Sequence, residues 1–226
     1  MKKDDDPPLT ALGHQMALKT GEYLKEQLEM MKHEKKCSEN AKVVLITSPF
    51  YRCLQTSKMI ALGLGIDNIQ NQDLLVEDAI EEWFVLTCGV KQDTRTTRNF
   101  SNLTDELRKE LFLELRPVSN SFFDYTNKPK LRAKYQESFF ASVERFSAIY
   151  DIMTSLDTPD KVYVLVSHGI SVEATQDLVP KYRFPGYCAV NLVVKDFEKC
   201  EKNKPKYKMA VQNHYAWSHP KTNPLF

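Results

Sequence analysis

The stretch KVVLITSPFYRCLQTSKMI, residues 42–60, predicts a buried strand that runs directly into a helix. The run 42–47 is short, apolar and rich in β-branched residues, which is typical of a strand inside a parallel sheet. Ser48 and Pro49 then supply an N-cap and a first-turn proline, which predicts a helix over about 49–63. Arg52 lies at this junction of strand and helix, so its guanidinium is the first candidate for a binding group.

A second stretch of the same kind, KVYVLVSHGI at 161–170, places His168 and Gly169 directly after another apolar strand. In open α/β sheets, ligands bind beyond the carboxyl ends of the strands, where loops lead into helix N-termini that suit an anion. Arg52 adds a planar fork of donors that matches phosphate oxygens in pairs. Taken singly, an arginine in a first helical turn is more often solvated, and a histidine at a strand end is as often structural. Because Arg52 and His168 are both predicted at the same edge of the sheet, together they indicate a pocket for an oxyanion.

The rest of the pattern alternates helices with strands. Helices are predicted from an N-cap at Thr10 to about residue 31, over 103–115, over 131–153 and from 171 onward, and strands at 74–76, 187–194 and 207–215. This alternation predicts an α/β fold, a three-layer α/β/α sandwich with a mainly parallel sheet. No linker or low-complexity tract divides the sequence, so residues 1–226 are interpreted as a single domain with an insertion or flap at about 84–130.

Composition and charge exclude several classes of function. Lys plus Arg (31) nearly balance Asp plus Glu (30), so no overall field favours nucleic acid or an anionic membrane. Five cysteines without a CxxC pair disfavour a disulfide framework and a zinc site, and no metal or cofactor is expected. The first residues, MKKDDDPP, are charged, and no apolar run approaches the roughly 20 residues of a membrane-spanning helix. We therefore expect no signal peptide, no membrane insertion, and a cytoplasmic or other reducing intracellular compartment.

Four motifs occur in a characteristic order: DPPLTALGHQMALKTGEYL at 6–24, SPFYRCLQTSKMIA at 48–61, VEDAIEEWF at 76–84 and VSHGISVEA at 166–174. Together they resemble the histidine phosphatase (phosphoglycerate mutase-like) superfamily, nearest the branch that contains the suppressor-of-T-cell-receptor-signalling phosphatases. The later stretch FPGYCAVNLVV resembles a late strand of that family. The resemblance implies a phosphoglycerate mutase-like fold for the chain.

The resemblance implies roles for three residues. Arg52 would be the second arginine of a phosphate clamp, and His168 would be the second core histidine, which binds a phosphoryl oxygen and aligns the transfer. Glu82 would be the acid that protonates the leaving oxygen, with Glu81 as the alternative one place earlier. Burial beside Trp83 would raise the pKa of such an acid. For Glu82, a solvated loop carboxylate is an equally good interpretation.

The family's chemistry also needs an Arg-His-Gly motif at the end of an N-terminal central strand, which carries the nucleophilic histidine and the first clamping arginine. None of the five histidines in the 226 residues follows an arginine, so the nucleophilic histidine is absent from this sequence. Loss of a nucleophile commonly costs several orders of magnitude in rate. A sheet that lacks the usual first central strand would also expose unpaired backbone groups. This predicts a protein partner that covers the missing strand.

Three functions stay open on the sequence. The favoured one is a catalytically inactive binding or structural subunit of a larger assembly. The alternative is a phosphomonoester hydrolase with a phosphohistidine intermediate, whose Arg-His-Gly segment is missing from this chain or supplied by another. A nucleotide- or phosphate-binding module is disfavoured because neither GxGxxG nor GxxxxGKS/T occurs. The ligand would be a phosphorylated small molecule or a phosphoprotein.

Overall fold

A computed structural model describes residues 7–66, 74–82, 123, 131, 137–156, 158–174, 188–201 and 204–214. Its helices are α1 (Ala11–His33), α2 (Tyr51–Leu64), α3 (Phe139–Ser155) and α4 (Gly169–Ala174), and a short 3-10 turn spans Asp78–Ile80. Its strands are β1 (Lys42–Thr47), β2 (Leu74–Val76), β3 (Lys161–Val166), β4 (Val190–Glu201) and β5 (Lys204–His214). The predicted helix over 103–115 and nearly all of the predicted insertion at 84–130 lie outside the described residues.

β1 is the central strand of a three-stranded parallel sheet with the order β2-β1-β3. Thr47, at the end of β1, pairs with Val76 of β2 and with Val166 of β3. The three strands therefore end at one edge, and the residues that follow them share one rim of the sheet. β4 and β5 form a separate antiparallel hairpin. The predicted α/β fold with a mainly parallel sheet is confirmed.

Helices cover both faces of this sheet. Because successive residues of β1 point to opposite sides, the strand contributes to a separate core cluster on each face. Leu45 packs into one core cluster with buried residues of α2. Val44 and Ile46 pack into a second cluster, on the other face, with Phe146 and Ile149 of α3. Two helical layers with the sheet between them make the three-layer sandwich that the sequence predicts.

α1 packs against α2 through two glycines. A Cβ atom added to Gly21 of α1 would lie 2.3 Å from the carbonyl oxygen of Ile60 in α2. A Cβ atom added to Gly63 of α2 would lie 2.3 Å from the carbonyl oxygen of Leu18 in α1. Real side chains do not approach a backbone that closely, so the two helices cross at a distance that only glycine permits.

Gly21→Ala should lower the free energy of unfolding by about 1–3 kcal/mol, because the added methyl overpacks the crossing. This cost exceeds the gain of about 1 kcal/mol in helix propensity that alanine brings. Gly13→Ala in the same helix is the matched control, since its Cβ would meet nothing closer than 3.4 Å. Urea unfolding of both variants measures the difference, and an unchanged midpoint for Gly21→Ala would contradict the close crossing.

The start of α2 differs from the prediction. The helix begins at Tyr51, with Phe50 in the N-cap position and no side-chain cap, rather than at Pro49 after a cap from Ser48. The cap is missing because Phe50, which has no side-chain acceptor, stands in the N-cap position two residues after Ser48. The hydroxyl of Ser48 lies instead 2.9 Å from Nε2 of His168.

The long helix also begins later than predicted, at Phe139 instead of residue 131. Ser138 caps it, because its Oγ accepts a hydrogen bond from the backbone N–H of Ala141 at 3.1 Å. Leu131 fits the apolar spacing because it is buried in the core with Phe146. Burial, not membership of the helix, explains its place in the pattern.

The remaining described elements lie close to their predicted positions. Thr10 caps α1 as predicted, since its Oγ accepts from the N–H of Gly13 at 3.1 Å. The strands at 42–47 and 74–76 have the predicted bounds. The two late strands are longer than predicted, because β4 and β5 pair as one extended hairpin from Val190 to His214.

Candidate active site

Two residues at the rim of the sheet form the base of the site. Ser48 follows β1, and its backbone N–H bonds to the carbonyl oxygen of Val166 at 2.9 Å. His168 lies two residues after the end of β3, and its Nε2 is 2.9 Å from the Oγ of Ser48. Ser48 has no exposed surface and His168 is 5% exposed. The ring of His168 is thus fixed below the surface by a residue from the neighbouring strand.

Arg52 and Glu82 complete the site above that ring. The Nη2 atom of Arg52 lies 3.2 Å from Oε2 of Glu82, and Nδ1 of His168 lies 3.0 Å from the same oxygen. The side chains of Arg52 and Glu82 are 25% and 30% exposed, so they form the side of the site that faces solvent. The structure therefore brings together Arg52, His168 and Glu82, the three residues that the resemblance singled out.

The partners of His168 determine which ring nitrogen carries hydrogen. A carboxylate only accepts hydrogen bonds, so Nδ1 donates to Glu82 and, in the neutral ring, Nε2 accepts from the hydroxyl of Ser48. Nη2 of Arg52 also lies 3.1 Å from Nδ1. Because both of these nitrogens are then donors, Arg52 bonds to the carboxylate of Glu82 rather than to the ring.

Phe50 and Cys53 form the wall around the imidazole. The ring of Phe50 meets the ring of His168 edge to face, with centroids 4.9 Å apart, and the guanidinium carbon of Arg52 lies 4.5 Å from the centroid of Phe50. The Sγ atom of Cys53 is 3.7 Å from Nε2 of His168. These contacts restrict both the ring and the guanidinium, and they place the imidazole and the guanidinium side by side.

The pKa of Glu82 is lower than its ordinary value, contrary to the expectation from the sequence. Burial by itself would raise the pKa, as predicted. The hydrogen bond and charge of His168, followed by those of Arg52, outweigh burial and stabilise the carboxylate. The lowered pKa favours the ionised form of Glu82, as a partner of Arg52 and His168, over a protonated acid.

Glu81, the alternative acid, occupies a different place. The residue is 7% exposed, and its backbone carbonyl accepts hydrogen bonds from Arg145 of α3 at 3.4 Å. The described contacts with Arg52 and His168 are made by Glu82. Of the two neighbouring glutamates, Glu82 is therefore the one whose carboxylate lies in the cluster.

Ser48, His168 and Glu82 are bonded in the order of a serine, histidine and acid triad. In such triads the serine must reach the substrate, because its oxygen forms the new bond. Ser48 is fully buried beneath the imidazole. The hydroxyl therefore serves to orient His168, and the triad order does not make Ser48 a nucleophile.

Sequence reasoning missed the contribution of Ser48, Phe50 and Cys53 to this site. Ser48 was interpreted as a helix cap, which is the commoner role of a serine before a proline. Its place after a buried strand, at the same rim as His168, was the signal that could have identified it. Phe50 and Cys53 gave no such signal, because apolar residues at the start of a helix usually pack into a core.

The part of the chain that the structure describes offers neither a cluster of metal ligands nor a membrane-spanning helix. No group of three or more His, Cys, Asp or Glu side chains there could hold a metal ion. No helix among the described residues is long and apolar enough to cross a membrane. The Arg52, His168 and Glu82 cluster brings a guanidinium, an imidazole and a carboxylate within hydrogen-bonding distance of one another.

Comparison with known proteins places this geometry in a family. A family model described as the histidine phosphatase superfamily (branch 1) matches residues 1–180. A search of curated proteins gave no match.

Three solved structures have a similar fold. The ecdysone phosphate phosphatase from Bombix mori, in complex with tungstate, has a TM-score of 0.53 and 17% identity, over 96% of this chain and 75% of that chain. Mycobacterial hydrolase 1 has a TM-score of 0.51 and 16% identity, over 95% and 91%. The mycobacterial glucosyl-3-phosphoglycerate phosphatase, complexed with VO3, has a TM-score of 0.50 and 15% identity, over 94% and 90%.

At identities this low, the structural likeness shows the fold alone. The family model is evidence of family membership as well as of fold, because it matches residues 1–180. This range includes all three residues of the cluster. Both findings agree with the parallel sheet and with the two strand ends that meet at one rim. This chain belongs to the histidine phosphatase superfamily, branch 1.

Proposed function

We propose that the cluster of Arg52, His168 and Glu82 binds the phosphoryl group of a phosphate monoester, and that these 226 residues hold the group without transferring it. One observation carries the proposal. Nη2 of Arg52 and Nδ1 of His168 converge on a single carboxylate oxygen, at 3.2 and 3.0 Å. Two donors that meet at one anionic oxygen can meet at a phosphoryl oxygen in the same way.

The surroundings support an anion at this point. α2 begins at Tyr51, so the partial positive charge of a helix N-terminus lies on the same side. The side chains of Arg52 and Glu82 are partly exposed, which gives a ligand access from solvent. Two of the structural neighbours are phosphatases that were solved with tungstate or with VO3, and both of these anions resemble phosphate.

The groups that the sequence contains support the proposal that no transfer occurs. A phosphoryl group that moves to an enzyme needs a nucleophile in reach. No Arg-His pair occurs in the 226 residues, and Ser48 is buried beneath His168. A domain of this kind would act as a binding or structural subunit for a phosphorylated small molecule or a phosphoprotein.

Titration calorimetry and a turnover assay test this proposal together. The purified chain should bind tungstate and inorganic phosphate at one saturable site, and p-nitrophenyl phosphate should be hydrolysed no faster than in buffer. Hydrolysis that disappears in His168→Ala would contradict the inactive subunit and leave the hydrolase. Absence of anion binding in a folded sample would contradict the phosphate site itself.

A second function, phosphomonoester hydrolysis with the nucleophile supplied from outside these residues, is favoured by a feature of β3. Among the described strands, β3 lies at one edge of the three-stranded sheet, and Val162, Val164 and Leu165 are only half-buried although they are apolar. A further strand along β3 would cover them and would end beside His168. A synthetic strand peptide ending in Arg-His-Gly should then confer hydrolysis of p-nitrophenyl phosphate, whereas the same peptide with Arg-Ala-Gly should not. Equal rates with both peptides would exclude this function.

A further inference from the structure

We propose that Arg145 and Ser167 are positioning residues for Glu82, because they bind the three peptide carbonyls that directly precede it. The inference rests on the proposed function only where it assigns that carboxyl to a phosphate site. The geometry that supports it lies in the 3-10 turn Asp78–Ile80 and in the segment that leaves this turn.

Arg145 of α3 binds this segment from one side. Its Nη1 donates to the carbonyl oxygen of Ala79, and its Nη1 and Nη2 both lie 3.4 Å from the carbonyl oxygen of Glu81. The guanidinium is buried, with 1% of its side chain exposed. The carbonyls at the end of a helical turn have no partner within the turn, so the arginine supplies the donors that they need.

Glu137 holds the other side of the guanidinium. Nε of Arg145 donates to Oε2 of Glu137 at 3.2 Å, and Nη2 donates to Oε1 of the same carboxylate. The five N–H groups of the arginine thus point to a carboxylate on one side and to two carbonyls on the other. The carboxylate of Glu137 thus both neutralises the buried charge of Arg145 and orients the guanidinium. Lysine cannot form the same set of hydrogen bonds because it lacks the planar fork of donors.

Ser167 binds the carbonyl between those two. Its Oγ donates to the carbonyl oxygen of Ile80 at 2.7 Å. Ser167 directly precedes His168, so one short segment after β3 both carries the imidazole and binds the backbone that leads to Glu82. The carbonyls of residues 79, 80 and 81 are therefore bound in succession by Arg145, Ser167 and Arg145.

The consequence is that Glu82 is presented to its partners by a rigid backbone. A loop carboxylate that is one-third exposed would otherwise spend much of its time in solvent, because its side chain gains rotamer freedom there. The contact of its Oε2 with His168 at 3.0 Å requires the peptide before it to stay in place. Loss of Arg145 or Ser167 should release the carboxyl from His168 and Arg52 while leaving those two residues where they are.

The ionisation of Glu82 reports this directly and without any phosphate ligand. Carbon-13 NMR of the full chain, labelled at glutamate side-chain carboxyls, follows the titration, and Glu82→Gln assigns the signal. Its pKa is below the ordinary value in the wild-type chain, after opposing effects of burial and of His168 and Arg52. Ser167→Ala and Arg145→Lys should shift the midpoint upward, towards that of an unpaired glutamate.

Ser142→Ala is the matched control, because Ser142 is a buried serine of α3 whose hydroxyl also donates to a carbonyl, that of Phe139 at 2.6 Å. It should leave the midpoint of Glu82 unchanged. An unchanged midpoint in folded Ser167→Ala, or an equal shift in Ser142→Ala, would overturn the inference. If Arg145→Lys does not fold, Ser167→Ala decides alone. Because no anion is added, failure of the chain to bind phosphate would contradict the proposed function and not this one.

Discussion

Arg52→Ala should weaken the binding of tungstate and of inorganic phosphate by roughly 30- to 150-fold, which corresponds to about 2–3 kcal/mol. The guanidinium offers two charge-assisted hydrogen bonds to an anion, each worth about 1.5–3 kcal/mol where water is excluded. The side chain is 25% exposed, so part of that gain is screened by solvent. Titration calorimetry at constant ionic strength measures the change.

The same helix offers a control for the general effect of charge. Lys58→Ala also removes one positive charge from α2, but Lys58 lies almost two turns beyond Arg52. Binding in this variant should stay within about twofold of wild type, as expected for a distant charge. Equal losses of anion affinity in the two variants would mean that binding depends on net charge. This result would contradict a specific contact between Arg52 and the anion.

The sheet and its flanking helices could be predicted because local sequence and tertiary context agree there. The run KVVLIT is apolar along its length, which suits a strand covered on both faces. Thr10 caps α1 as local sequence predicts, because its Oγ accepts from the N–H of Gly13 three residues later. Ser48 shows the opposite case, since the helix begins only at Tyr51 and the hydroxyl lies beside the ring of His168, 120 residues away in the chain. Local rules cannot anticipate a partner that only the fold brings near.

The candidate site was predictable to the extent that each residue follows its own strand end or motif. Arg52 and His168 each lie just beyond a strand, and parallel pairing of β1 with β3 brings them together. Which of two neighbouring glutamates meets them depends on the path of the chain after the 3-10 turn, and this path is set by Arg145, about 65 residues later. The pKa of Glu82 was predicted in the wrong direction for a related reason. The sequence indicated burial of the carboxyl, but not that Arg52 and His168 would both lie within hydrogen-bonding distance of it.

The geometry indicates that an anionic ligand must compete with the chain's own carboxylate. Oε2 of Glu82 occupies the point where the donors of Arg52 and His168 converge. A phosphoryl oxygen at that point would lie against a second negative charge, which is unfavourable in a partly buried site. The carboxyl must therefore move away or take up a proton when the anion binds. Proton uptake would turn Glu82 into the hydrogen-bond donor that a leaving oxygen requires.

Glu82→Gln should tighten the binding of sulfate at pH 7–8 by roughly tenfold. Two unit charges about 4 Å apart repel by about 4 kcal/mol at an effective dielectric constant near 20, and exposure reduces this to about 1.4 kcal/mol here. Sulfate is the chosen probe because its charge does not change over this range, whereas that of phosphate does. Calorimetric titrations of both proteins between pH 5 and pH 8 give the two affinity curves.

The sign of the pH dependence follows from linkage. The pKa of Glu82 lies below its ordinary value of 4.5 in the free chain, where burial is outweighed by His168 and Arg52, and a bound anion raises it. A group that gains protons on binding makes the ligand bind more tightly as pH falls. The advantage of Glu82→Gln should therefore be largest at neutral pH and should narrow towards pH 5. His168 is present in both proteins, so only the difference between the curves belongs to Glu82. Parallel curves, or the same gain in Glu81→Gln, would show that this carboxylate does not compete for the site.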